Sequence, residues 1–115
     1  MRVYVAGPMS GRPRWNFDAF EAATLQLRAA GFEVVSPHEA ILATGFDPKA
    51  PAGEFTAAHY RDALREDVAL VFSVDAVALL PGWESSKGAR VEAALAEALG
   101  LWRDSPEGLI SALTV

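Results

Sequence analysis

Three short β-rich apolar runs in this chain each end at a proline turn, and that punctuation constrains the fold more than any other feature. Arg2 to Ala6 stops at Gly7-Pro8, Phe32 to Val35 at Ser36-Pro37-His38, and Ala76 to Leu80 at Pro81-Gly82. A strand with one wet face alternates apolar and polar residues, so the apolar stretch of the first run and the uncharged third read as buried strands, and Phe32 to Val35, which carries Glu33, as a second short strand. Proline then removes the N–H that the next ladder hydrogen bond needs.

Between the runs, apolar residues recur at helical spacing. Asn16 is placed to cap a helix with Asp18 and Glu21 in its first turn and Phe17, Phe20, Thr24 and Leu27 at helical spacing until Gly31. A second helix spans Phe55 to Val71, marked by Tyr60, Leu64, Val68 and Val71. A third, capped by Ser85 or Ser86, runs to Leu99, where Gly100 can take the left-handed conformation that ends many helices. Leu101 and Trp102 begin a fourth strand that Arg103 and Asp104 cut short, and Ser105-Pro106-Glu107 opens a last helix. Ile41 to Glu54 carries two Pro and two Gly without a period and reads as a loop or lid.

This alternation predicts one α/β domain over residues 1–115: a three-layer sandwich with a four- to five-stranded parallel sheet of the Rossmann or flavodoxin type. Such sheets bind ligands beyond the carboxyl ends of their strands, which directs attention to Gly7–Trp15, Ser36–Glu39 and Pro81–Gly88. A chain of 115 residues, 51% hydrophobic, has material for one core and hardly for two. Its net charge of -5 argues against a nucleic-acid polymer or an anionic membrane as partner, since either selects a basic face. With no cysteine and only two histidines, His38 and His59, neither a metal nor another cofactor is expected. The opening run Val3 to Ala6 is too short for a signal sequence, and no later run approaches the roughly 18 apolar residues that span a bilayer, so a cytoplasmic protein is expected.

Three acids are oddly placed. Glu92 lies in the first turns of an Ala-rich helix that begins at a strand's carboxyl end, where it is expected to be partly solvent-facing at a pocket, outside the core, with the helix dipole favouring its ionised form. Asp67 flanks the apolar face of the second helix, and Asp75 immediately precedes a buried strand. Each also has a plain reading: Glu92 as a solvated first-turn acid, Asp67 paired with Arg61 or Arg65, Asp75 as a turn residue. Tyr4 is the one polar-tipped residue of the first strand, and its hydroxyl needs either a carboxylate such as Glu92 or water at a sheet edge. The loop Gly7-Pro8-Met9-Ser10-Gly11-Arg12 and the turn Ser86-Lys87-Gly88 could each bring backbone amides to an anion or a ribose, or be an ordinary loop and a plain cap. Neither has the dinucleotide glycine spacing or the phosphate-loop lysine.

Taken in order, Tyr4-Val5-Ala6-Gly7-Pro8-Met9-Ser10-Gly11, Asn16-Phe17-x-x-Phe20, Gly31-Phe32-Glu33-Val34-Val35-Ser36-Pro37, Arg65-x-Asp67, Asp75-Ala76-Val77-Ala78-Leu79-Leu80-Pro81-Gly82-Trp83 and Ser86-x-Gly88-Ala89-x-x-Glu92 resemble the nucleoside 2-deoxyribosyltransferase-like superfamily. The likeness is greatest to its short members of unassigned function. It implies that Glu92 attacks C1' of a 2-deoxynucleoside to form a covalent deoxyribosyl-enzyme, which water or a second base resolves. It also implies that Asp67 and Asp75 act near the base or orient the sugar, and that Tyr4 positions the carboxylate. Gly7, Pro8 and Met9 would line the sugar pocket, with Ser86 and Gly88 near the 5' end and Ser10 and Gly82 also binding substrate. Arg12, Arg14 and Lys87 would favour a 5'-phosphate if they face the pocket. The implied partner is a nucleoside or nucleotide, and the implied assembly a homodimer or larger. Two rival classes remain open: a nucleotide-binding or sensing protein on the same fold, and a subunit that acts by interaction. The chain departs from the resemblance at the charged Arg103-Asp104 and in the segment Ile41 to Glu54.

Overall fold

Four short strands pair in the order β2-β1-β3-β4, parallel throughout: β1 (Arg2–Ala6), β2 (Glu33–Val35), β3 (Ala76–Leu79) and β4 (Trp102–Asp104). The helices are α1 (Phe17–Ala29), α2 (Pro37–Ala43), α3 (Ala57–Val71), α4 (Lys87–Ala98) and α5 (Pro106–Leu113). This computed structural model describes residues 1–43, 45 and 57–113, with backbone alone at 57–60. The architecture is the expected three-layer sandwich with a four-stranded sheet.

Alternation along β1 divides the core. Val3 and Val5 face α1 and α5, packing with Phe20, Leu27, Phe32, Val34 and Leu109, whereas Tyr4 and Ala6 face α3 and α4, packing with Val71, Val74, Val77 and Ala96. Chain order places β2 on one side of β1 and β3 on the other, so the loops that leave β1 and β3 diverge and open a crevice between them. Gly7 keeps that crevice narrow at its base. A Cβ at Gly7 would lie 2.7 Å from Leu80 Cβ, inside contact distance, so the two strand exits approach this closely only with glycine there.

Several local expectations need correction. Asn16 precedes α1 but does not cap it; its backbone is left-handed and its side chain donates instead to Pro8 O at 2.8 Å. Residues 41–43, expected in a loop, complete α2, which Pro37 opens at a favourable position with Glu39 in the first turn. The rest of the expected lid lies almost entirely outside the described residues, as do Phe55 and Thr56 of the expected second helix. β4 forms in spite of its charges because Arg103 turns away from the sheet, donating to Ala93 O at 3.4 Å and lying 3.4 Å from Glu97 on α4. Both predicted glycine exits occur, Gly31 and Gly100 having φ of 100° and 72°. Among the described residues, no helix is long and apolar enough to cross a membrane.

The last helix is fastened by Leu109, which is fully buried against the α1 face of the sheet. Leu109→Ala is expected to lower unfolding free energy by about 2–5 kcal/mol, the usual range for a truncated core leucine. Urea denaturation of the two chains measures this directly.

Candidate active site

The crevice between the exits of β1 and β3 holds a cavity of about 500 Å³, the size of a small-molecule site. One side of it is acidic. Ser86 caps α4 by accepting a hydrogen bond from Ala89 N–H at 3.2 Å, and this sets the helix so that Glu92, in its second turn, lines the cavity. The expected partly solvent-facing position of Glu92 is corrected: it is only 5% exposed, because α4 lies against the sheet and the hydroxyl of fully buried Tyr4 donates to its Oε2. Asp67, half-buried on α3, lines the same cavity.

Burial governs the protonation of both acids. Glu92 is pushed up to about 8, chiefly by loss of water; the Tyr4 hydrogen bond acts against that rise and the nearby Asp67 charge adds to it. Asp67 is pushed up to about 7 by burial, with a smaller contribution from Glu66. The expectation that the helix dipole keeps Glu92 ionised is therefore corrected, because desolvation outweighs it. Tyr4 is raised well above its ordinary value by burial and by the two carboxyls, so it stays a donor. Of its two predicted alternatives, the carboxylate partner is the one found.

Across the cavity from the acids, on the α1 and α2 side, stands an apolar wall to which Trp15, Phe17, Phe20, Pro37 and Ile41 contribute. The sequence reading took Phe17 and Phe20 as helix core and assigned Trp15 no role; the signal that was available is that all three stand at the exit of β1. The turn before α1 is strained: Arg14, Trp15 and Asn16 have φ of 51°, 56° and 61°, a conformation costing roughly 1–2 kcal/mol per residue when a Cβ is present.

Gly7, Pro8, Met9, Ser10, Ser86 and Gly88 all line the cavity, as predicted, and so do Arg12 and Lys87. Three predicted residues do not. Asp75 lies at the amino end of β3, opposite the cavity, where its carboxylate accepts from Arg2 N–H at 2.9 Å; it is exposed and pins the strand start. Its position one residue before a parallel strand dictates this. Gly82 sits behind Arg12, whose guanidinium occupies the space a Cβ would fill, 2.6 Å from Nη2. Arg14 turns outward to Asp18, 3.6 Å away. Asp67 does not make the expected helix ion pair with Arg65, which lies 3.8 Å from Asp62. His38 is buried against Phe17 and Phe20, bonded to Ser36 and lowered by burial, as suits a structural histidine. His59 has no described side chain. Among the described residues, no three His, Cys, Asp or Glu side chains are grouped to hold a metal.

Fold and site together define a small parallel α/β protein with a paired-carboxyl cavity at the point where its strand order reverses. The chain belongs to the family described as a domain of unknown function, DUF4406, which it matches over residues 1–102. No curated protein matches it.

The raised Glu92 gives a stability test. A carboxyl that ordinarily titrates near 4.5 and is held at about 8 by the fold binds a proton more tightly when folded, so stability falls as pH rises between those values. Glu92→Gln, neutral and able to accept from Tyr4, is expected to be the more stable chain at pH 8 by upwards of about 1 kcal/mol, one pKa unit's worth. The difference should shrink toward pH 5, as read from urea midpoints across that range.

Proposed function

We propose that this chain cleaves or exchanges the N-glycosidic bond of a 2-deoxynucleoside or its 5'-monophosphate, with Glu92 as nucleophile. The observation that carries the reading is that Glu92, hydrogen-bonded by Tyr4, faces the same cavity as a second carboxyl with a raised pKa. Two-step glycosyl transfer requires this combination of a carboxylate to form the covalent intermediate and an acid to protonate the departing group. The motifs that resemble the deoxyribosyltransferase-like superfamily supply the identity of the sugar.

The productive form of the pair carries one proton, on Asp67; because Glu92 holds its proton to higher pH than Asp67, this is the minor of the two singly protonated arrangements. As the C1'–N bond breaks and the bond from C1' to a Glu92 oxygen forms, that proton passes to the base nitrogen. Asp67, now ionised, then takes a proton from water, or from the N–H of a second base, as that molecule attacks C1' and Glu92 departs. Tyr4 stabilises the carboxylate form of Glu92 at the start and end of the cycle. Arg12 and Lys87 at the cavity favour a 5'-phosphate; Arg14, paired outside, is dropped from that role. A cytoplasmic homodimer or larger assembly accompanies the reading, and Phe72, Val91 and Leu99 leave apolar surface exposed just after α3 and at α4.

One observation favours a second reading, a nucleotide-binding or sensing protein. Glu92 held at about 8 is mainly protonated at neutral pH and can serve as a hydrogen-bond donor to a ligand without any chemistry. Incubation with each 2-deoxynucleoside and 5'-monophosphate, with and without a second base, separates the two. Base release or exchange that disappears in Glu92→Ala supports glycosyl transfer; no turnover across the panel moves the conclusion to binding. Asp67→Asn is expected to retain a fraction of the rate, and Asp75→Asn, remote from the cavity, the full rate.

The pH profile is a separate test. Loss of the first proton from the pair gives the singly protonated forms, a minor share of which is productive, and loss of the second removes them, so kcat/KM should be bell-shaped with its maximum between about 7 and about 8. A rate that is flat from pH 5 to 9 rules out this division of roles.

A further inference from the structure

The wall facing the acids rests on an unusual stretch of backbone. Arg14, Trp15 and Asn16 are consecutive left-handed residues and none is glycine. A bulky side chain is seldom found in this region, and such residues persist only where surrounding contacts impose the conformation. Here Trp15 N–H donates to Arg12 O at 3.1 Å, Arg12 N–H to Met9 O at 3.3 Å, and Asn16 Nδ2 reaches across the loop to Pro8 O at 2.8 Å. The left-handed residues are not part of α1, which begins at Phe17 with an ordinary right-handed backbone, φ -58° and ψ -33°. What the left-handed turn achieves is placement: Trp15 joins Pro8, Met9, Phe17 and Phe20 around the cavity that Glu92 and Asp67 line from α4 and α3. The cavity is thus divided into an aromatic part and an acidic part. A ligand that matches both carries a planar ring system at one end and a polar, reactive centre at the other.

We propose that Trp15 is the stacking plate for the planar ring of the ligand, and that the left-handed turn braced by Asn16 holds it in position. Trp15 touches ligand; Asn16 is a positioning residue acting through it. The inference rests on the glycosyl-transfer reading for the identity of the ring, a nucleobase, and the plate serves equally in a protein that binds without turnover.

The test is calorimetric titration with three probes: 2-deoxyguanosine 5'-monophosphate, 2-deoxycytidine 5'-monophosphate and 2-deoxyribose 5-phosphate, which has the sugar and phosphate but no ring. Titrations use Glu92→Gln so that no probe is consumed, and turnover by the unaltered chain is measured separately. Adding Trp15→Ala is expected to weaken both base-bearing probes by roughly ten-fold or more, the usual effect of removing a stacking aromatic, and to leave 2-deoxyribose 5-phosphate unchanged. Trp15→Phe should restore most of the loss. Asn16→Ala should reproduce the selective loss, whereas a merely structural role would weaken all three probes together. The proposal is overturned if no base-bearing probe binds, if Trp15→Ala leaves their affinities unchanged, or if all three probes weaken alike. Ring-selective binding without turnover would uphold the plate and sink the glycosyl-transfer reading, so the two fail separately.

Discussion

The hydrogen bond from Tyr4 to Glu92 is the constraint around which this structure is arranged. It joins residues 88 apart in sequence across the contact between β1 and α4, where neither group has water to turn to. A buried hydroxyl and a buried carboxyl are each costly alone and tolerable together. For them to meet, α4 must lie close against the sheet, and Ala89, Ala93 and Ala96 on its buried face make the approach possible. The charge state of the site follows from the same burial, because the environment that brings Glu92 to the cavity also makes its ionisation difficult. The capped start of α4 and the tight exit at Gly7 then bring the surrounding loops to that carboxyl.

Much of this could be read from residue order. Continuous apolar runs stopped by proline gave away three strands, since a buried parallel strand has no polar face and proline cannot extend its ladder. Tyr4 was legible because a polar tip within such a run must find a partner, although the sequence left water at an edge as an alternative. Less visible was α2, whose start is marked by Ser36-Pro37-x-Glu39 but whose few residues are too short to display a helical period. Trp15 closed a loop already marked for ligands but drew no role, for the left-handed turn that positions it contains no glycine to signal it. Phe17 and Phe20 were assigned to the core correctly and incompletely, because periodicity identifies a buried face and is silent on whether a cavity opens along it. Asp75 was drawn into the site by the resemblance, against the simple rule that a residue preceding a parallel strand lies at the end away from the ligand. The ionisation of Glu92 went astray through weighing a dipole without the burial that opposes it.

The region matched to the DUF4406 family contains every residue that lines the cavity, whereas α5 follows it and packs beside α1 on the same face of the sheet. Cavity and support are thereby separated along the chain. His38 shows the same economy on a smaller scale: it is buried behind Phe17 and Phe20 and steadies the aromatic wall from outside the cavity.

The two sides of the cavity are anchored very differently, and that sets how such a site can diverge. The carboxyls stand on helices packed against the sheet, so moving them disrupts the core, while the aromatic side depends partly on one surface turn and its brace. Substitutions in that turn alter which molecules are admitted at little cost to the acids behind them. A change of ligand at the aromatic side therefore leaves the two carboxyls where they are.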